Sequence, residues 1–180
     1  MDKHVMLLYD DKESAKRIQF ETIWLTLRVN QNSIYLSDDE PSQIIKQLKI
    51  FGIDTDYYVK KNLLHVHKIP DFLKNPSRWR DENEKFMNEL LSSMTPPYHV
   101  IGRTFPDLTK DGALDAEVEI ESYFHSNFSR FNGSCLCSYQ KDQFEEYSDD
   151  VKQKLFHNHH TIIHASEYGD KILEDSDTIQ

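Results

Sequence analysis

The feature that most constrains this chain is an alternation: short apolar runs of strand length are separated by longer segments whose apolar residues recur at helical spacing. A run too short to be a helix buries both its faces as a strand, and a one-sided helix lays its apolar stripe on something. Repeated in turn, the two units predict an α/β fold, a three-layer α/β/α sandwich with a mainly parallel central sheet.

The first run, Val5-Met6-Leu7-Leu8-Tyr9, predicts a buried strand. Asp10-Asp11-Lys12-Glu13 follows, and acidic residues suit the first turn of a helix. Ala15, Ile18, Thr22, Leu25 and Val29 then repeat at helical spacing, with Phe20, Trp24 and Leu27 widening the stripe. Residues 33–37 predict a second strand, and Asp38-Asp39-Glu40-Pro41 opens a helix that runs to Phe51 and closes at Gly52. A short helix over 53–62, a strand over 63–69 and, past the Asn75-Pro76 turn, a helix over 78–94 come next. Pro96-Pro97 leads into a strand over 98–105, which is followed by a long helix over 113–131. Beyond the Asn132-Gly133 turn lie a strand over 134–139, a helix over 148–157 and a short strand over 161–163. These complete one domain over 1–166, and the polar, acidic residues 167–180 predict a disordered tail.

Lys and Arg total 21 against 31 Asp and Glu, a net charge of −10. Such a field repels phosphate backbones and anionic membrane surfaces, and no dense Lys/Arg run offsets it. Direct nucleic-acid binding and membrane association are therefore not expected. The apolar runs are too short to cross a bilayer, and the N-terminus lacks a signal-peptide pattern. Cys135 and Cys137, the only cysteines, stand two apart on one strand, where no turn brings their sulfurs into bonding geometry. Free thiols point to a reducing, cytoplasmic setting.

In open parallel sheets ligands sit beyond the carboxyl ends of the strands, so the junctions after the strands carry the candidates. A phosphate loop needs glycines, so that backbone N–H groups approach the phosphates, together with Lys and Ser/Thr. The first junction reads Tyr9-Asp10-Asp11-Lys12-Glu13-Ser14, without glycine and with carboxylates that repel phosphate. His157, His159, His160 and His164 crowd one segment. His160 and His164 have metal-ligand spacing on a helix, but Thr161-Ile162-Ile163 reads as extended, which places them about 13 Å apart. Cys137 and His159 form a thiolate–imidazole pair only if the last strands lie side by side. Glu117, Glu119 and Glu121 alternate along a helix, which reads mainly as solvated surface.

Several motifs resemble one family. His4-Val5-Met6-Leu7-Leu8-Tyr9-Asp10-Asp11 is similar to the opening of the MEDS domain, the sensory domain of methanogens and methylotrophs. So are Ile34-Tyr35-Leu36-Ser37, Glu40-Pro41, Leu48 and Gly52-Ile53-Asp54. Cys137-Ser138-Tyr139 resembles that family's C-x-Y strand, with Phe144 downstream, His159 near its closing histidine and Glu121 placed like a family glutamate on the preceding helix. Gly102-Arg103-Thr104-Phe105 departs from the pattern by putting a cation where the family carries an acid, and His160 stands where proline is usual. The resemblance covers about residues 3–165. It implies a degenerate RecA-like ATPase fold, similar to recombinase and circadian-clock ATPases but without the phosphate loop.

The resemblance also implies a signal-transduction domain of a kind attached to histidine kinases or DNA-binding regions; with no helix-turn-helix or kinase pattern in this sequence, a stand-alone form is expected. The expected function is a non-catalytic one, binding a small molecule or a signalling protein at the carboxyl ends of the strands, with no cofactor and no metal. Its expected ligand-binding residues are His4, Tyr9, Arg103, Glu121, Cys137, Tyr139 and His159, with Arg103 clamping a carboxylate or pairing with Glu121. Two readings stand beside it: a metal- or thiol-dependent enzyme using Cys135/Cys137 and the His157–His164 cluster, and an interaction module that forms a homodimer.

Overall fold

The computed structural model describes residues 3–173. Among them, strands His4–Tyr9 (β1), Asn32–Ser37 (β2), Leu64–Lys68 (β3), Tyr98–Ile101 (β4), Gly133–Gln140 (β5), Thr161–Ser166 (β6) and Gly169–Leu173 (β7) form one sheet in the order β3-β2-β4-β5-β1-β6-β7. Every neighbouring pair is parallel except β6 with β7. The helices are Lys12–Arg28 (α1), Pro41–Phe51 (α2), Thr55–Lys60 (α3), Trp79–Leu91 (α4), Ala113–Asn127 (α5), Lys141–Glu145 (α6) and Asp149–His157 (α7).

Alternation along the central strands divides the core in two. Leu7 and Leu136 pack with Phe20, Ile23 and Leu27 of α1 and with Ile44 and Leu48 of α2. On the opposite face, Met6, Leu8, Cys135, Cys137 and Tyr139 pack with Trp79 and Leu90 of α4, Ala113 and Ala116 of α5, and Leu155 of α7. The three-layer sandwich is therefore as expected. His4 has the parity of Met6 and Leu8, which sends its side chain to the α5/α7 face.

Three local expectations are corrected, and one short helix was not foreseen. The stripe of α1 is rotated: Ala15, Phe20, Ile23, Thr26 and Leu27 are buried, whereas Leu25 and Val29 are exposed and Trp24 carries the Arg28 guanidinium 4.4 Å over its ring. Apolar residues flank that helix on both sides, so spacing alone could not choose the row. β4 stops at Ile101 instead of Phe105 because Gly102 turns the chain with φ +136°, while its N–H donates to the Leu136 carbonyl. A short helix, α6, follows β5 directly. The tail expected from residue 167 begins as strand β7, joined to β6 through the two residues between Ser166 and Gly169. Asp170, read as solvated, is gripped by Arg17 through two hydrogen bonds of 2.6 and 2.7 Å. The part of that expectation falling on residues 174–180 lies outside the described residues.

Candidate functional site

The junction after β1 shows what replaced a phosphate loop. Asp11 caps α1: its carboxylate accepts from Ser14 N at 2.8 Å and from Ser14 Oγ at 2.7 Å. A side-chain anion thus occupies the helix N-terminus, the place where a phosphate would lie.

The interior holds a different constellation. His4 at the start of β1, Cys137 in the middle of β5, Glu121 on α5 and His159 between α7 and β6 point donor atoms at one another, all within 4.8 Å. Glu121 Oε2 lies 2.9 Å from His4 Nε2 and 3.7 Å from His159 Nε2, and Cys137 Sγ lies 3.4 Å from His4 Nε2. All four residues are buried, from 0 % exposure for His4 to 6 % for His159. The imidazoles are set by the backbone: His4 Nδ1–H donates to the Asn158 carbonyl at 2.7 Å and His159 Nδ1–H to the Leu155 carbonyl at 2.6 Å. A carbonyl can only accept, so Nδ1 is a donor in both rings, and both Nε2 atoms are turned inward.

Burial opposes a charge on Glu121, while the His159 and His4 rings beside it favour one, and the balance holds its carboxyl well below the ordinary range. Burial draws His159 down to about 4, so its ring is neutral at neutral pH. The Cys137 thiol is pushed up by its hydrogen bond with Cys135, whose sulfur is 3.6 Å away, and by burial. This is the opposite of what a nucleophilic cysteine needs.

From this quartet a polar chain runs toward the carboxyl ends of the strands. Tyr139 donates to Glu121 Oε1 at 2.9 Å and lies 3.4 Å from Glu117 Oε1, and Glu117 Oε2 accepts from Phe105 N at 3.0 Å. Burial and then the Glu121 charge push Glu117 up to about 8, so it is a protonated acid at neutral pH. Arg103 follows, its guanidinium 4.7 Å over the Tyr139 ring, with Nη2 donating to the Pro106 carbonyl at 2.8 Å. Its Nη1 is buried and has no hydrogen-bond partner. Arg103, Tyr9, Lys12, Gln140 and Gln143 line an open cleft of about 420 Å³ beyond β1, β4 and β5. A neighbouring cleft of about 480 Å³ beyond β2, β3 and β4 contains none of the expected site residues.

The seven expected residues therefore occupy two places. His4, Glu121, Cys137 and His159 meet inside the α5/α7 layer, on the amino-terminal half of β1, and Tyr9 and Arg103 line the cleft at the carboxyl ends. Tyr139 joins the two. Arg103 does not pair with Glu121, one of the two roles expected for it; burial works against its charge, and the Glu117 carboxyl, where ionised, offsets that cost. Glu117 and Glu121 are buried rather than solvated, and only Glu119 is on the surface, held by Arg80. Sequence reasoning missed Glu117, although its i, i+4 spacing to Glu121 on the row of Ala113 was the available signal. Of the histidine-rich segment only His159 joins the quartet. His157 is exposed, His160 Nδ1 accepts from the His4 backbone N–H at 3.0 Å, and His164 lies 2.7 Å from Asp10. Cys137 and His159 do converge, but not from adjacent strands, because β1 separates β5 from β6 and supplies His4 between them.

The sheet order, two helical layers and capped, glycine-free first junction define an α/β protein with a RecA/KaiC-like fold and no phosphate loop after β1. Solved structures agree. A KaiC-like protein, PH0186, from the hyperthermophilic archaeon Pyrococcus horikoshii OT3 is similar with a TM-score of 0.70 at 8 % identity, covering 99 % of this chain and 81 % of that one. A second protein of the same organism, PH0250, is similar with a TM-score of 0.58 at 13 % identity, covering 98 % and 88 %. At such identities the likeness shows the fold alone. The chain belongs to the MEDS family, the methanogen/methylotroph DcmR sensory domain, whose model matches residues 3–160. No curated protein matches the chain. Among the described residues no helix is long and apolar enough to cross a membrane.

Proposed function

We propose that this chain is a non-catalytic sensory domain that binds a small acidic molecule in the cleft beyond β1, β4 and β5, with Arg103 as the recognising cation. The observation that carries the reading is Arg103 itself: a guanidinium at the cleft wall, braced by Tyr139 and the Pro106 carbonyl, with hydrogen-bonding capacity left unspent at Nη1. A buried N–H without a partner costs free energy, and a carboxylate relieves it with paired, charge-assisted bonds. Tyr9 offers an aromatic wall, and Gln140 and Gln143 offer amides that fix orientation.

Two features support binding without turnover. The Asp11 carboxylate at the N-terminus of α1 disfavours nucleotide phosphates, and the Cys137 thiol is buried and held protonated. Arg103 lies on Tyr139, and Tyr139 donates to Glu121 of α5, so a ligand that moves Arg103 acts on the helical layer through one side chain.

Thermal-shift measurements against a panel of small mono- and dicarboxylates test the reading. At least one acid raises the melting temperature of wild type and not of Arg103→Ala, while Mg-ATP raises neither. Equal shifts in both proteins, or stabilisation by Mg-ATP alone, would overturn it.

A further inference from the structure

We propose that His4 Nε2, His159 Nε2, Cys137 Sγ and Glu121 Oε2 together bind one divalent first-row transition-metal ion, with zinc the ion their chemistry suits best. The site is carried by residues other than those of the ligand cleft and stands or falls independently of the sensory reading. It replaces the expectation, drawn from sequence, that the chain holds no metal.

Geometry comes first. A tetrahedral ion with bonds of about 2.0–2.3 Å to nitrogen, oxygen and sulfur has ligand–ligand edges of about 3.3–3.7 Å. The His4–Cys137 and His159–Glu121 edges, 3.4 and 3.7 Å, are of that length, the His4–Glu121 edge is shorter at 2.9 Å, and no pair exceeds 4.8 Å. Lengthening the short edge and drawing in any edge near the 4.8 Å limit gives a four-coordinate cage.

The imidazoles are prepared for it. A metal-bound histidine almost always donates its other ring N–H to a carbonyl or carboxylate, which fixes the tautomer and aims the lone pair. Both rings do so here, to the Asn158 and Leu155 carbonyls. Glu121 has the same support, since Tyr139 donates to Oε1 and leaves Oε2 to face the two Nε2 atoms. His159 Nε2 is a buried nitrogen with no hydrogen-bond partner, an exception that a folded interior rarely tolerates and that a metal bond removes.

Charge balance points the same way. A thiolate, a carboxylate and two neutral imidazoles carry two negative charges, so a divalent ion leaves the buried site neutral. The coordinating thiol gives up its proton to solvent as the metal–sulfur bond forms. Phe124, in edge contact with the His4 ring at 5.0 Å, and Phe128, stacked on it at 5.8 Å, close the site to water. Mixed nitrogen and sulfur donors exclude magnesium and calcium, which take oxygen, and match zinc. Four protein ligands leave no open position, so the ion is structural or regulatory, pinning α5 and the α7–β6 turn to the sheet.

The test uses full-length protein purified under reducing conditions without metal-affinity steps. Elemental analysis is expected to give one zinc per chain. Protein stripped with chelator and titrated with Co²⁺ is expected to show the sulfur-to-cobalt charge-transfer band and strong visible bands of a tetrahedral site. Cys137→Ser removes the sulfur band, and His159→Ala or Glu121→Gln weakens Co²⁺ binding by on the order of 100-fold or more, since even outer-shell changes cost 10–100-fold. His157→Ala and His164→Ala keep full stoichiometry. Should the ligand variants misfold by circular dichroism, X-ray absorption of the wild-type metal edge decides, with one sulfur and three nitrogen or oxygen ligands expected. Folded, reduced wild type that binds neither Zn²⁺ nor Co²⁺ overturns the site. So does a coordination shell without sulfur, or binding that is lost in His157→Ala.

Discussion

Gly102→Ala makes the most discriminating demand on the fold, because Gly102 ends β4 and fixes where Arg103 begins. A Cβ at this position would lie 2.3 Å from the Leu36 carbonyl oxygen and 2.9 Å from Leu36 Cβ. Neither neighbour can swing aside, since Leu36 is held in the β2–β3 ladder and the Gly102 N–H is bonded to the Leu136 carbonyl at 3.0 Å. The glycine also sits at φ +136°, where L side chains are strained. Strain of about 1–3 kcal/mol and overpacking of about 1–3 kcal/mol combine to roughly 2–6 kcal/mol. For a chain of this length that lowers the melting temperature by roughly 4–24 °C. Gly52→Ala is the matched control: φ is +106° at the end of α2, but no atom lies within 4 Å of the added carbon, so only the backbone cost of about 1–2 kcal/mol applies. Calorimetry on both variants is expected to show Gly102→Ala losing at least twice what Gly52→Ala loses. Equal losses would refute the claim that close approach of β2 and β4, rather than backbone handedness, requires this glycine.

Glu117→Gln tests the buried acid. Because the folded group is pushed up to about 8 from 4.5, its stabilising contribution is full below about pH 4.5, declines above it and is gone once pH passes 8. Urea midpoints of wild type should therefore fall between about pH 5 and pH 8, and those of the variant should fall less; parallel curves would contradict the assignment. Leu155→Ala removes a fully buried side chain of α7 beside the His159 anchor and should cost about 2–5 kcal/mol in denaturant unfolding. Asp11→Ala removes the α1 cap and should cost about 1 kcal/mol by the same assay, while conferring no binding of Mg-ATP.

The layers of this fold were legible because strand and helix periods differ, and Val5–Tyr9 with Ser33–Ser37 could be read as strands from five residues each. Features that depend on what lies across a gap were not legible. The buried face of α1 could not be chosen because Trp24, Leu25 and Val29 offered an equally apolar row. The β7 strand was hidden by charge, since Asp170 reads as solvent-facing until Arg17 is placed opposite it. The site behaved likewise. The names His4, Glu121, Cys137 and His159 came through family resemblance, but their convergence did not, because it joins two strands, a helix and a turn far apart in the chain. Glu117 was lost when three alternating glutamates were read together instead of as an i, i+4 pair with one outlier. Arg103 was expected either to clamp a carboxylate or to pair with Glu121, and the fold sets it over Tyr139 and beside Glu117 instead of Glu121.

Native mass spectrometry of the full-length chain, incubated with the carboxylate panel and with Mg-ATP, tests the sensory reading most directly. The account predicts a complex with a small acid at one per chain, absent in Arg103→Ala and unaffected by His159→Ala. A nucleotide complex, or an acid complex that survives Arg103→Ala, would contradict it.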